Sequence, residues 1–221
     1  MGSSKASGLA KDCESAAKTL KTFIAVPYPA TVQDFLIANK RLDEGNVPKE
    51  AIANAQGLAI FSGFRAAMAF AGSGGSGIVI ARLPDGSWSP PSAFSVKSGG
   101  IGLAYGLDVY DCLCVLNTKA SVEAYTKAEV ELGTNLAVAA GPVGATAQFK
   151  ELKPVWTYTR THGLYGGLTI DGTSIKERPE RNAEFYGSKV TAGQILHGEV
   201  QAPAEAFEHT AKLVKVLQSV E

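Results

Sequence analysis

Apolar residues in the first part of the chain recur at helical spacing. Five of them follow one another at steps of four, three, four and three: Leu9, Cys13, Ala16, Leu20 and Phe23. These steps place all five on one side of a helix, and three lysines fall on the opposite side: Lys11, Lys18 and Lys21. We therefore predict an amphipathic helix over residues 4–25, ended by Pro27 and Pro29, which a helix interior does not tolerate.

The pattern changes to a period of two in the middle of the chain. Five bulky residues alternate with small or acidic ones: Ile101, Leu103, Tyr105, Leu107 and Val109. This alternation is typical of a strand with one bulky face and one nearly bare face, against which another backbone or ring packs closely. Strands are predicted across residues 57–116, 136–149 and 155–170, and the segments 102–109 and 163–170 are similar in pattern.

Helical spacing returns in the segments around these strands. Further helices are predicted over residues 31–40, 49–55, 118–131, 180–196 and 204–220. No stretch has the composition of a linker between domains, so residues 1–221 are predicted to form one α+β domain. Its β-rich core, residues 57–170, is expected to be a curved, mostly antiparallel sheet or barrel. The helices of residues 1–25 and 178–220 are expected to flank that core.

Residues 85–93 form the most informative short motif of the chain. Asp85-Gly86 favours a tight turn, because glycine accepts a positive φ at little steric cost. Pro90 and Pro91 cannot donate to a sheet ladder, so no strand runs on through them. We expect a strand before the turn, Trp88 folded back onto apolar surface and a rigid exit into the next strand.

The charge and the cysteine content exclude some classes of protein for this chain. The chain carries 21 basic and 21 acidic residues and a formal net charge of zero, so we expect no nucleic-acid partner. Cys112-x-Cys114 has no second cysteine pair to complete a zinc site. The three cysteines are therefore expected to be reduced core residues of an intracellular protein. The longest weakly polar run, residues 136–147, is too short and too broken to span a bilayer.

A glycine run at residues 72–77 satisfies the G-x-G-x-x-G pattern of dinucleotide sites. Such a site needs the loop to open a helix, whereas Ile78-Val79-Ile80 continues as a strand. We therefore expect a flexible or tightly bent connection between two strands. A backbone nest that binds an anion remains open there.

Two further constellations are compatible with chemistry. The pairs Asp108 and Asp111, and Asp171 and Glu177, could meet a hard cation if the fold brings them together, so metal binding is left open. Arg178, Asn182 and Tyr186 fall at four-residue steps and would share one helix face. We expect Arg178 and Asn182 to satisfy buried backbone groups and Tyr186 to pack, in preference to forming a ligand site.

Several motifs, in order along the chain, resemble the SYLF-domain family of phosphoinositide- and actin-binding proteins. They are residues 57–61, 72–77, 85–93, 116–118, 140–144 and 163–167, then Asn182 and residues 185–187. The resemblance covers approximately Leu9 to Leu217. It implies a non-enzymatic domain without a cofactor that links phosphoinositide-containing membrane to filamentous actin in endocytosis. Such a protein would be cytoplasmic and peripheral, at the membrane and at cortical actin patches.

The resemblance also implies where lipid would bind, on the N-terminal helix. The candidate lipid-binding residues are Lys5, Leu9, Lys11, Lys18, Leu20, Lys21 and Phe23. The apolar side could enter the headgroup boundary while the lysines stay at the polar side. This chain departs from lipid-binding members at Glu14, Ser15 and Ala145, where basic residues can occur. The residues that contact actin are not implied.

Other functions remain open at this point. The helix could simply dock on the sheet through its apolar side and never meet lipid. The domain could bind a small ligand or a metal, and could even be an enzyme, through a pocket in the β-rich core. It could also be a purely structural domain that forms oligomers. Many family members add a Src-homology-3 module, so this chain is expected to be either a bare-domain member or a fragment.

Overall fold

The computed structural model describes residues 8–24, 47–132, 139–140, 154–161, 164–204 and 207–219. Seven helical segments lie among them: α1 (Gly8–Ile24), α2 (Lys49–Ala53), α3 (Lys119–Glu123), a 3-10 turn (Ala124–Thr126), α4 (Pro179–Tyr186), α5 (Ala192–Leu196) and α6 (Phe207–Gln218). The strands are β1 (Gly57–Ala81), β2 (Ser92–Leu116), β3 (Glu129–Leu132), β4 (Ala139–Ala140), β5 (Val155–Thr161) and β6 (Leu164–Glu177).

Strand β2 is the centre of the sheet. β1 pairs antiparallel with β2, from Gly57 opposite Leu116 to Val79 opposite Ser92. The other edge of β2 pairs first with β6 and then with β5, again antiparallel. β3 lies outside β6, and β4 runs parallel to β5. The two segments with similar sequence patterns are neighbours in this sheet, because Gly102–Leu107 pairs with Leu164–Thr169.

The sheet curves so strongly that the two ends of β1 meet. A Cβ built on Gly75 would lie 2.8 Å from the Ser62 carbonyl oxygen, and one on Gly77 would overlap the Ile60 carbonyl oxygen. Backbone therefore packs directly on backbone, which only residues without a side chain allow. The sequence predicted a connection between two strands at residues 72–77. That prediction was wrong: the run lies inside one long strand and permits its bend.

Two apolar clusters fill the space on either side of the sheet. Helix α1 packs on one face, where its apolar side joins Leu58, Ile60, Leu113 and Val115. The other face holds edge-to-face aromatic rings, among them Phe61, Phe94, Tyr110 and Tyr125. The predicted α+β class, with a curved and mostly antiparallel sheet flanked by N- and C-terminal helices, is confirmed.

Several predicted boundaries changed. The helix predicted over 118–131 ends in the 3-10 turn at Thr126, and β3 follows, because Glu129–Leu132 gains a full ladder with β6. The sheet predicted to end at residue 170 continues to Glu177. One predicted C-terminal helix is two, separated by Gly187, which has a left-handed φ of 68°. The helix predicted over 31–40 lies outside the described residues, as does most of the strand predicted over 136–149.

The close approach at Gly77 predicts a large effect of one methyl group. Gly77→Ala should lower the free energy of unfolding by about 3 kcal/mol, because a new Cβ would meet a sheet backbone that cannot move aside. Urea denaturation followed by circular dichroism measures it. Gly72→Ala is the matched control, since a Cβ there meets nothing within 4 Å, and it should change stability by less than about 1 kcal/mol. Equal losses in both variants would contradict the bend described here.

Candidate functional site

Residues 82–89 form the predicted turn and fold back on β1. The Leu83 amide donates to the Ser87 carbonyl over 2.8 Å, and Gly86 has a left-handed φ of 85°. Asp85 Oδ1 accepts from the Ser87 amide over 2.9 Å and from its hydroxyl over 2.6 Å. These hydrogen bonds hold the pKa of Asp85 below its usual value. The Asp-Gly pair therefore acts as the sequence predicted, as a closed turn.

Trp88 returns onto apolar surface and is covered by an arginine. Its ring packs against the α1 side of the core, and Trp88 forms a bridge with Arg82. The Arg82 guanidinium stacks 3.9 Å from the Trp88 ring centre, and its Nη2 donates to the Ala53 carbonyl over 3.2 Å. Both predictions for this motif are thus confirmed, and its aromatic residue has a packing role.

The exit of the turn is held by α4. Asn182 is fully buried, and its Oδ1 accepts from the Ala93 amide over 2.8 Å. Its Nδ2 donates to Ser92 Oγ over 3.1 Å and to Glu177 Oε1 over 3.2 Å. Tyr186 donates its hydroxyl to the Pro91 carbonyl over 2.7 Å. We call Ser92, Glu177, Asn182 and Tyr186 the polar clamp.

The polar clamp confirms that Asn182 satisfies a buried backbone group and that Tyr186 packs. Arg178 does not share their helix face, because it precedes α4 as the N-cap residue. Glu177 extends the polar clamp, because its Oε1 also accepts from the Ala192 amide over 2.8 Å at the start of α5. Sequence analysis missed Glu177 and Ser92 as members. The proline pair was a partial signal for this contact. Strand β2 begins directly after it, and the backbone groups of its first residues need hydrogen-bond partners.

Helix α1 divides its candidate lipid-binding residues between two environments. Leu9, Leu20 and Phe23 have no exposed surface and belong to the core on the sheet. Lys11 and two further lysines, Lys18 and Lys21, are exposed on the outward side. Lys5 lies outside the described residues. In this arrangement the lysines are available to a surface, and the apolar side is already covered by protein.

Two acidic residues of α1 are tied to the C-terminal helices. Asp12 Oδ2 lies 3.7 Å from Arg181 Nη1 of α4. Burial raises the pKa of Asp12, against the lowering effect of Arg181 and Arg178. Glu14 Oε1 accepts from Lys212 Nζ over 2.9 Å and lies 3.1 Å from His209 Nδ1, both on α6.

The contact between Glu14 and Lys212 shifts the pKa values of both residues. Its hydrogen bonds to Lys212 and His209 lower the pKa of Glu14, and the bond to Glu14 raises the pKa of Lys212. Glu14 is one of the positions at which this chain lacks a basic residue. Its carboxylate is engaged with α6, so it adds little negative charge to the outward side of α1.

The acidic pairs considered for metal binding occupy positions in the sheet that keep the two members of each pair apart. Asp108 and Asp111 are three residues apart on β2 and therefore point to opposite faces. Asp171 and Glu177 are six residues apart on β6, about 20 Å along the strand. Within the described ranges, no group of three or more His, Cys, Asp or Glu residues could hold a metal ion.

The two cysteines of β2 share one face, because they are two residues apart on the strand. Their sulfurs are 3.9 Å apart, both side chains are buried, and both are free thiols. Thr159 and Thr157 lie opposite them on β5 and contact Cys112 and Cys114 respectively. The contact with the Cys114 sulfur and burial raise the pKa of Cys112 well above its usual value, and the same contact lowers the pKa of Cys114. Both sulfurs are enclosed by the sheet and contact threonine side chains, so the pair fits a packing role.

One surface feature was not found from sequence. Phe64, Leu107 and Val109 are 61%, 71% and 55% exposed. Phe64 lies opposite Val109 in the β1–β2 register, and Leu107 lies two residues from Val109 on the same face. We call these three residues the apolar patch. The period-two pattern placed Leu107 and Val109 on a bulky face, but only the structure shows that this part of the face is uncovered.

Fold and site together define an α+β domain flanked by helices, with the lysines of α1 facing outward and an exposed apolar patch on the sheet. Comparisons with known proteins agree with the resemblance noted above. Residues 97–220 match the Ysc84 family model, described as "Las17-binding protein actin regulator". The chain belongs to this family, and the resemblance to SYLF domains is confirmed. None of the helices in the described residues is long and apolar enough to cross a membrane.

Three relatives illustrate the similarity. SH3 domain-containing YSC84-like protein 1 is 36% identical over 218 residues in Bos taurus, covering 96% of this chain and 60% of that protein. The Homo sapiens protein of the same name is 37% identical over 205 residues, covering 90% and 57%. LAS seventeen-binding protein 3 of Saccharomyces cerevisiae is 37% identical over 164 residues, covering 71% and 36%. The chain thus spans 60% or less of the length of these relatives.

The polar clamp predicts that Asn182 is a major stabilising residue. Asn182→Ala should lower the free energy of unfolding by about 3 kcal/mol, because it leaves the buried Ala93 amide and Ser92 hydroxyl without their partner. Chemical denaturation of both proteins measures the difference. Asn54→Ala removes an exposed hydrogen bond to the Glu50 carbonyl and should change stability by less than about 1 kcal/mol. If Asn182→Ala lowers the free energy of unfolding by no more than Asn54→Ala does, the polar clamp contributes little to stability.

Proposed function

We propose that this chain is a non-enzymatic adaptor domain that binds phosphoinositide-containing membrane and filamentous actin, and that it acts in endocytosis. The actin half is supported by the family description, Las17-binding protein actin regulator. Membrane binding is supported mainly by one observation, the exposure of the lysines of α1. The proposed location is peripheral, in the cytoplasm, at membrane and at cortical actin patches.

The electrostatics of α1 suit a weak, reversible membrane contact. Each basic residue near an anionic surface adds about 1 kcal/mol, so Lys11, Lys18 and Lys21 together give about 3 kcal/mol. Glu14 is engaged by Lys212, and Asp12 lies beside Arg181, so neither acid stands alone against that surface. A contact of this strength falls as salt rises, because the Debye length shortens.

Insertion of the apolar side requires α1 to leave the sheet. Leu9, Leu20 and Phe23 are fully buried, and each such side chain stabilises the fold by about 1.5 to 3 kcal/mol. Their release therefore costs about 4.5 to 9 kcal/mol, which only renewed burial in the bilayer can offset. The attraction of about 3 kcal/mol from the lysines is available to the docked helix without this cost. We therefore propose membrane contact through the lysines of the docked helix.

The apolar patch is the surface that we assign to actin. Exposed contiguous apolar side chains are uncommon on a domain surface and mark sites of protein contact. Phe64 is an aromatic residue of the kind enriched at the centre of interfaces, and Val109 and Leu107 flank it. Actin is the partner class that the family description names. No nucleic-acid role is proposed, since the net charge is zero.

Charge reversal on α1 tests the membrane half. Replacing Lys11, Lys18 and Lys21 together by Glu should abolish co-sedimentation with vesicles that contain phosphatidylserine and a phosphatidylinositol bisphosphate, because attraction becomes repulsion. Wild-type binding should weaken as salt is raised. Unchanged binding by the triple variant would remove the electrostatic mechanism. A triple Glu variant at the exposed Lys119, Lys127 and Lys189 is the matched control and should keep most of the binding.

A polar substitution in the apolar patch tests the actin half. Phe64→Ser should weaken co-sedimentation with filamentous actin by at least about tenfold, in the range of an interface hot spot. The fold should survive, because Phe64 is 61% exposed. Val214→Ser replaces another exposed apolar residue, on α6, and should leave actin binding unchanged. If wild-type protein does not sediment with actin, the actin half of the proposal is wrong.

A further inference from the structure

Helix α6 lies beside α1, the helix that carries the proposed membrane contact. We propose that α1 stays docked on the sheet when the domain binds an acidic membrane, and that α6 completes the contact surface with Lys215. This inference rests on the proposed function and adds two things to it: the conformation of the bound domain and a residue from the other end of the chain. The argument comes from how α1 and α6 lie side by side.

The two helices run in the same direction. Near their middle, Glu14 contacts His209 and Lys212. At their C-terminal ends they meet the same short segment: the Val47 amide donates to the Phe23 carbonyl over 3.1 Å, and Lys49 Nζ donates to the Ser219 carbonyl over 3.4 Å. Both helices therefore end beside residues 47–49, with Glu14 as a common reference point.

This reference point places Lys18 and Lys215 at the same height. Lys18 lies four residues beyond Glu14, about 6 Å along α1, and Lys215 lies three residues beyond Lys212, about 4.5 Å along α6. Each step also returns to the same side of its own helix. The two lysines therefore flank the seam between the helices one turn beyond the Glu14 contact, with Lys21 a turn further.

Charge is segregated along this pair of helices. The acids of the described residues of α1 and α6 are Asp12, Glu14 and Glu208, all in the first halves of the helices. The second halves carry Lys18, Lys21 and Lys215. Like charges placed side by side repel, and an anionic surface removes that repulsion. The helix α2 that borders this end adds Lys49 and Glu50, which cancel.

Val214 lies outside this surface, although it is 41% exposed. It is about 160° around the axis of α6 from Lys212, the residue that contacts Glu14 of α1. It therefore faces away from α1, and Lys215 is the residue of α6 that joins the α1 lysines. Lysines at helix C-termini also stabilise the helix dipole, so the test must separate binding from stability.

Substitution of Lys215 tests the contribution of α6. Lys215→Gln should weaken binding to phosphatidylcholine vesicles that contain phosphatidylserine and a phosphatidylinositol bisphosphate by about fivefold at low salt, the effect of one lysine near an anionic surface. Lys189→Gln, an exposed lysine after α4, makes the same change of charge and should bind as wild type. Thermal unfolding of both variants checks that the helix layer is intact.

A tether between the helices tests the docked conformation. Glu14→Cys and His209→Cys replace two side chains in contact, and a short bis-maleimide can join them. The native Cys13, Cys112 and Cys114 should stay unlabelled, because all three are buried, and burial raises the pKa of Cys13 to about 12. The tethered protein should bind the vesicles as well as its untethered double variant does. Loss of binding on tethering would show that α1 must leave, and would overturn the docked surface.

The outcomes separate this inference from the proposed function. If wild-type protein fails to bind the vesicles, the proposed membrane role itself is wrong. If wild type binds and the α1 lysines matter, but Lys215→Gln binds as wild type, the membrane role stands and α6 is not part of the surface. If Lys215→Gln weakens actin co-sedimentation and leaves vesicle binding unchanged, the surface belongs to actin, and the inference is wrong.

Discussion

The approach of β1 to itself is the constraint on which the rest of the domain depends. Where Gly75 and Gly77 cross Ser62 and Ile60, the backbones are so close that no side chain fits between them. This contact fixes the curvature of the long β1–β2 pair, whose bend lies between the two places that touch. The two apolar clusters pack on either side of the curved sheet, and α1 covers one of them.

The ends of the chain are joined to this bent sheet by polar contacts at a few positions. Asn182 and Tyr186 fasten α4 to the first residues of β2, and Glu177 adds the start of α5. Asp12 and Glu14 connect α1 to α4 and α6. The resulting layer of N- and C-terminal helices brings residues that are about 200 positions apart into one surface.

Helix α1 has two sides with different roles. Its apolar side is part of the fold, with Leu9, Leu20 and Phe23 fully buried. Its lysine side faces outward and carries the proposed function. The resemblance to lipid-binding relatives suggested that both sides meet the membrane. A division of roles needs less rearrangement, because the docked helix can offer its lysines to a membrane without giving up the core burial of three large side chains.

The sequence by itself determined the local elements: the helix at α1, the strand over residues 101–109, the turn at Asp85-Gly86 and the burial of Cys112 and Cys114 are found as predicted. These features follow from contacts between residues near one another in the chain. The family also followed from its ordered motifs. Tertiary structure decided the rest. Four features depend on residues far apart in sequence: the close approach at Gly77, the polar clamp at Glu177, the apolar patch at Phe64 and the pairing of α1 with α6. No local pattern encodes the approach of such residues.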